Sequence, residues 1–223
     1  MGWLEFAAAF AAFFITHSLP MRPKIRAKLV GLVGRRGFLT LYSVLSLGML
    51  AWLIVAAANA PYVVLWHRAP WQTWVPLFAM AGVCALLCLS IARPNPLSFG
   101  GARNDLFDPA HPGIIRLVRH PLLLALTLWA AAHLVANGDL AHVILFGVFA
   151  GFALLGMRIV DRRKRREMGA GQWAALRAQI ASGPLMPRPA SWRGGALRLM
   201  LAGGLYAVLI ALHPALLGVT PLP

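Results

Sequence analysis

"RLVRHPLLLALTLWAAAHLVANGD", residues 116–139, decides how the chain is read. From Leu117 to Ala136 it is apolar enough to cross a bilayer as a helix, since about 20 such residues cover ~30 Å of hydrocarbon. Yet it opens on Arg119-His120-Pro121 and holds His133 deep inside. Ionisable side chains in a span are costly, so each one calls for a partner or a function. His133 stands 14 residues beyond Arg119, about 21 Å along a helix axis. Trp129 and Asn137 lie four residues either side of it, on the same face. That face should look inward rather than at lipid.

Working outward, the whole chain has the same character. Of its 223 residues 60% are hydrophobic and only 12% charged, and mean hydropathy is +0.71. Soluble domains carry about 25% charged residues, so a water-soluble core is excluded. Further apolar runs lie near 3–19, 38–58, 71–91, 140–159 and 196–217. With 117–136 they give an all-α, polytopic bundle of about six transmembrane helices in one integral membrane domain, 1–223. The fourth and fifth runs are joined only by "NGDL" and form a helical hairpin.

The formal charge of +15 would suggest nucleic acid in a soluble protein. Here it follows membrane topology instead, and no nucleic-acid partner is expected. Six basic residues lie between Arg22 and Arg36 and four between Arg93 and Arg119. Nine lie between Arg162 and Arg198, with Arg158 just before them. Only Arg68 falls on the opposite side. The positive-inside rule puts these three connections in the cytoplasm and both termini in the periplasm. The run "DRRKRRE" reads as the stop after the fifth span, and "GQWAALRAQIA" as a short helix at the headgroup layer, with Trp173 as its anchor. "MGWLEFAAAF" has no basic residue ahead of its apolar run, so the first helix is read as retained rather than cleaved.

Cys84 and Cys88 share a helix face and read as small buried apolar residues. His67, His111, His142 and His213 fall in loops or near span ends, where a polar tip is tolerated. His17 closes the first span in "FFITHSLP". Neutral imidazole is a haem ligand, and two imidazoles on one iron bring their nitrogens to about 4 Å. His120 and His133, 13 residues apart, are ~20 Å apart on a straight helix. They cannot form such a pair, so a partner for His133 comes from another helix. The other ring nitrogen of His133 then needs an acceptor: Asn137, or a group from another span.

"THS" at the end of the first span, "RPNPLSF", the Arg-His-Pro block with Trp-x-x-x-His-x-x-x-Asn-Gly, and "DRRKRREMGAGQWAALRAQIASGPLMP" resemble the NnrU family of bacterial membrane proteins. The resemblance runs through nearly the whole chain. It implies an inner-membrane protein linked to the nitric oxide and nitrite reductase system of denitrification. It also implies kinship with plant 15-cis-ζ-carotene isomerase, a haem b protein that isomerises a polyene double bond. On that kinship His17 and His133 match the haem ligands, and His120 matches a further histidine. Arg119, His120, Trp129 and Asn137 become candidates for ligand-supporting or substrate-side roles. A cysteine that serves the relative as an alternative ligand falls at Ala130. His17 with His120 is the rival pair. The partners expected are the bilayer and a hydrophobic polyene or isoprenoid. Two other readings stay open. One is an S-adenosylmethionine-dependent methyltransferase of the isoprenylcysteine or phospholipid type, which also places Arg-His-Pro at a cytoplasmic helix start, here with Asp161 and Glu167 further on. The other is a non-catalytic assembly factor.

Overall fold

The computed structural model describes residues 2–184 and 191–223. Arg188 and the Leu-Met-Pro that ends the last resemblance motif lie outside them. The described residues form seven α-helices: α1 (Gly2–Ser18), α2 (Pro23–Ala58), α3 (Trp74–Ser90), α4 (Pro121–Ala136), α5 (Leu140–Met168), α6 (Ala170–Ser182) and α7 (Trp192–Leu217). Short 3-10 turns precede α3 and α4. Five helical segments are long and apolar enough to cross a membrane, and α4 is a shorter apolar helix. In those five only 6–22% of each apolar window is buried by protein. Side chains such as Leu47 (66% exposed), Phe78 (73%) and Met200 (73%) point outward. A surface this apolar is at home in hydrocarbon, as the composition requires.

Several helices differ in length from the apolar runs. α2 is 36 residues long, about 54 Å, and takes in the basic segment that reads as a loop in sequence. Pro23 at its first turn suits a helix start. Gly34 (φ 71, ψ 165) then breaks the helical geometry, a conformation open to glycine. The break falls just before Arg35 and Arg36, the last basic residues ahead of the apolar part. α5 likewise runs on through the basic "DRRKRRE" to Met168. α4 has only 16 residues, about 24 Å. Residues 117–120 are taken by the turn that presents Arg119 and His120 before Pro121 starts the helix.

The chain divides into two compact units. The first runs to Trp66 and includes Gly138–Leu145. In it α1 packs on α2, with Phe6, Ala9, Phe13, Phe38 and Leu53 buried. Residues 63–66 lie along the turn before α5: Leu65 N–H donates to the Gly138 carbonyl (2.7 Å) and Leu140 N–H to that of Val63 (2.9 Å). A Cβ on Gly138 would collide with the Trp66 carbonyl, so this approach needs glycine. Asp139 caps α5, accepting from the His142 N–H (3.2 Å) and from its ring Nδ1 (2.8 Å).

The second unit holds His67–Asn137 and the chain from Phe146 on. Here α3 packs against α4 and α7, and Val83 and Leu86 of α3 form one buried cluster with Ala125 of α4. The last carbonyls of α3 have no helical partner, and Arg198 of α7 supplies one, donating to Cys88 (2.6 Å) and Ile91 (3.0 Å). Gln72 does the same for α4, donating to the Val135 carbonyl (2.8 Å). Cys84 and Cys88 are free thiols, Cys84 buried.

Candidate functional site

His133 is half-buried on α4. Its Nδ1 donates to the Trp129 carbonyl at 2.8 Å. The expected acceptor was Asn137 or another helix, because α4 uses its own carbonyls. Instead the i−4 carbonyl, with two lone pairs, serves both the helix and the ring. Asn137 faces the other way: its Nδ2 donates to the His133 carbonyl (2.7 Å) and closes the end of the helix. The bond to Trp129 puts the ring proton on Nδ1, so Nε2 keeps a lone pair. Nε2 makes no hydrogen bond among the described residues. Phe146 of α5 (5.3 Å between ring centroids) and Trp129 (5.6 Å) flank the imidazole. Phe146 and Phe149 in turn hold the indole of Trp129 edge-on. The ring is thus fixed by aromatic packing and one backbone bond.

His17, in the first unit, is arranged alike. Phe13 stacks on it at 5.3 Å with 9° between planes. Its Nδ1 lies 3.4 Å from the Ser46 hydroxyl, its carbonyl accepts from the Tyr42 hydroxyl (2.8 Å), and Nε2 makes no hydrogen bond among the described residues. The bond to Ser46 is long, so His17 is the less firmly oriented of the two.

His120 differs from both. It is 4% exposed, and both ring nitrogens are engaged. Nδ1 lies 2.9 Å from the Ser98 hydroxyl and Nε2 3.0 Å from Asp161 Oδ1. Arg119 Nε also donates to Nε2 at 3.2 Å, so this nitrogen is held between the guanidinium and the Asp161 carboxylate. Arg119 binds the other oxygen of Asp161 at 2.5 Å. Asn95, also buried, donates from Nδ2 to the Arg119 carbonyl (3.1 Å) and accepts from the Leu97 N–H (3.1 Å). Asn104 in turn accepts from the Asn95 N–H (2.8 Å). "RPNPLSFGGARND" is therefore the cradle of the Arg-His-Pro turn. Gly101 packs so closely on Asn104 and Asn95 that a Cβ would meet them at 2.7 and 2.8 Å.

His120 stands just ahead of α4, outside the spans. Burial pulls its imidazole below the usual histidine range, with Asp161 acting in the opposite direction. Ser98, His120 and Asp161 follow the order of nucleophile, base and orienting acid, but Ser98 is only 3% exposed. The cluster fastens the turn and aims Arg119. Sequence reasoning missed Asn95, Ser98 and Asp161 as parts of it. Asp161 carried one signal: with Glu167 it is one of two acids in the otherwise basic end of α5.

Three of the remaining histidines, His111, His142 and His213, have local partners. His111 pairs with Asp108 (2.6 Å) on an exposed loop, which holds the Asp108 carboxyl below the usual range. His213 Nδ1 donates to the Val219 carbonyl (2.8 Å). Glu167 is bound by Arg163 and Lys164 and stands apart from the Asp161 cluster. Among the described residues no group of three or more His, Cys, Asp or Glu could hold a bare metal ion.

Apolar helices with little protein burial define a multi-pass α-helical membrane protein. The family model described as NnrU protein matches residues 5–221, and the chain belongs to that family. No curated protein and no solved structure matches it.

Proposed function

We propose that the protein is a haem b carrier of the bacterial cytoplasmic membrane that serves the denitrification system, with His133 and His17 as the axial ligands. The observation that carries this reading is the state of His133. A buried-face imidazole whose Nδ1–H is tied to a backbone carbonyl and whose Nε2 lone pair is open is prepared for a metal. The same test separates the two candidate pairs. His120 has both nitrogens committed to Ser98 and Asp161, so His17 with His133 is favoured over His17 with His120. Bound haem would supply an iron suited to electron transfer or to polyene isomerisation. The protein's own part is to orient the imidazoles and keep water from them. Phe13 and Tyr42 do this at His17, and Trp129 and Phe146 at His133. His17, whose ring hydrogen bond to Ser46 is long, would be the more readily displaced of the two. The topology proposed with this function has six spans and both termini periplasmic.

The test is the Soret absorption of protein purified from membranes. His17→Ala and His133→Ala should each reach the membrane but lose or strongly alter the band, while His120→Ala should keep it. Wild-type spectra in both ligand variants would refute the assignment, and loss confined to His17→Ala and His120→Ala would select the rival pair.

A further inference from the structure

Next to the Arg-His-Pro turn, in the second unit, lies a half-open cleft of about 190 Å³. Three arginines line it: Arg116 and Arg119 from the approach to α4, and Arg177 from α6. Leu97, Ile115 and Ile180 form its apolar wall and pack together as one buried cluster. Charge compensation is uneven. Arg119 is neutralised by Asp161. Arg116 spends Nε and one terminal nitrogen on the neutral Gly183 carbonyl (3.3 and 3.0 Å), which fixes its guanidinium without cancelling its charge. Arg177 is stacked over the Trp173 ring, 4.7 Å from its centroid, and has no carboxylate partner among the described residues. A second observation lies behind the apolar wall, outside the cleft lining. Trp173 packs against the Leu97–Ile115–Ile180 cluster, and its indole N–H is buried with no acceptor among the described residues.

We infer that this cleft binds a phosphate group, carried by an anionic membrane lipid whose headgroup enters it while the adjoining apolar wall takes the start of the chain. Planar guanidinium forks held in place by a carbonyl and by an indole match phosphate oxygens in pairs. Two uncompensated positive charges match a phosphomonoester. The volume, below the ~300–1,000 Å³ of ordinary small-molecule pockets, suits a headgroup. The reading does not depend on haem, because none of the proposed axial ligands lines the cleft.

The test uses the full-length protein in nanodiscs of phosphatidylcholine doped with phosphatidic acid, and counts by native mass spectrometry the lipid retained after transfer to detergent. Phosphatidic acid should be retained at least about tenfold over phosphatidylcholine. Arg177→Gln and Arg116→Gln should each abolish most of that preference. Ala181→Trp, which fills the cleft from an exposed position on its rim, should do so without removing a charge, and it keeps the test decisive if an arginine variant folds poorly. The haem content of all three should equal that of the wild type. A parallel titration with inorganic phosphate in detergent, read by Trp fluorescence, separates the sources. Arg177-dependent binding of free phosphate at micromolar levels, with no retained phosphatidic acid, would overturn the lipid source. Equal retention of both lipids, or a preference unchanged in Arg177→Gln and Ala181→Trp, would overturn the site.

Discussion

Three histidines on this chain look alike in sequence and are set apart by what their second nitrogen does. Among the described residues one nitrogen is left over at His133 and at His17, whereas at His120 none is. Glycine at position 133 should therefore lose the Soret band and regain part of it on adding free imidazole, because the aromatic walls from Trp129 and Phe146 remain. The same treatment should do nothing for His120→Gly. Removing His120 strands the Ser98 hydroxyl and one oxygen of Asp161, and a loss of about 1–3 kcal/mol is expected for groups left unsatisfied in this way. Thermal unfolding in detergent measures it. The pH dependence follows in sign. Burial lowers the His120 pKa in the folded protein, so below about 6.5 the unfolded chain takes up the proton more readily. The stability contribution is full above that pH and is lost as pH falls through it towards the folded value. The wild type should thus lose more stability than His120→Gln between pH 7 and 5. A parallel decline in the two would show that the cluster does not exclude the proton. At this scale His133 was legible in sequence, because an ionisable residue within a span stands out. Ser98 and Asp161 were not. They lie 22 and 41 residues from His120, in segments that read separately as a loop and a basic stop.

Among the elements, the apolar runs marked the helices well and their ends poorly. Hydropathy reports where hydrocarbon is, not where a helix stops. α2 and α5 therefore extend beyond their runs into basic sequence, while α4 starts late because His120 and Pro121 fix its first turn. The "NGDL" hairpin turn was legible from its Asn-Gly. Its tightness was not, because the Trp66 carbonyl that crowds Gly138 comes from a distant part of the chain. Two glycines near one another in sequence should behave in opposite ways. Gly138→Ala forces a Cβ into the Trp66 carbonyl and should destabilise by about 1–3 kcal/mol. Gly151→Ala, inside α5 with nothing within 4 Å of the new Cβ, should be neutral or stabilise by up to about 1 kcal/mol. Melting temperatures of the two variants in one detergent decide this, and equal values would contradict the packing described for the turn.

For the whole molecule, membrane residence was legible at once from 12% charge among 60% hydrophobic residues, and α4 supplies the shorter sixth apolar helix. The orientation proposed rests on the grouping of basic residues. Reporter fusions after Arg36, Arg103 and Arg166 should all read cytoplasmic, and a periplasmic reading at any one would break the six-span topology. What sequence could not supply is the polar cradle around Arg119 and the arginine-lined cleft beside it, since both are assembled from segments far apart along the chain. The central claim, that the open imidazoles exist for haem, is tested most directly on the wild-type protein purified from membranes of haem-replete cells. The account predicts a reduced-minus-oxidised spectrum of b type, with haem stoichiometric to protein by pyridine haemochrome. A colourless protein, correctly folded and fully supplied with haem, would contradict it.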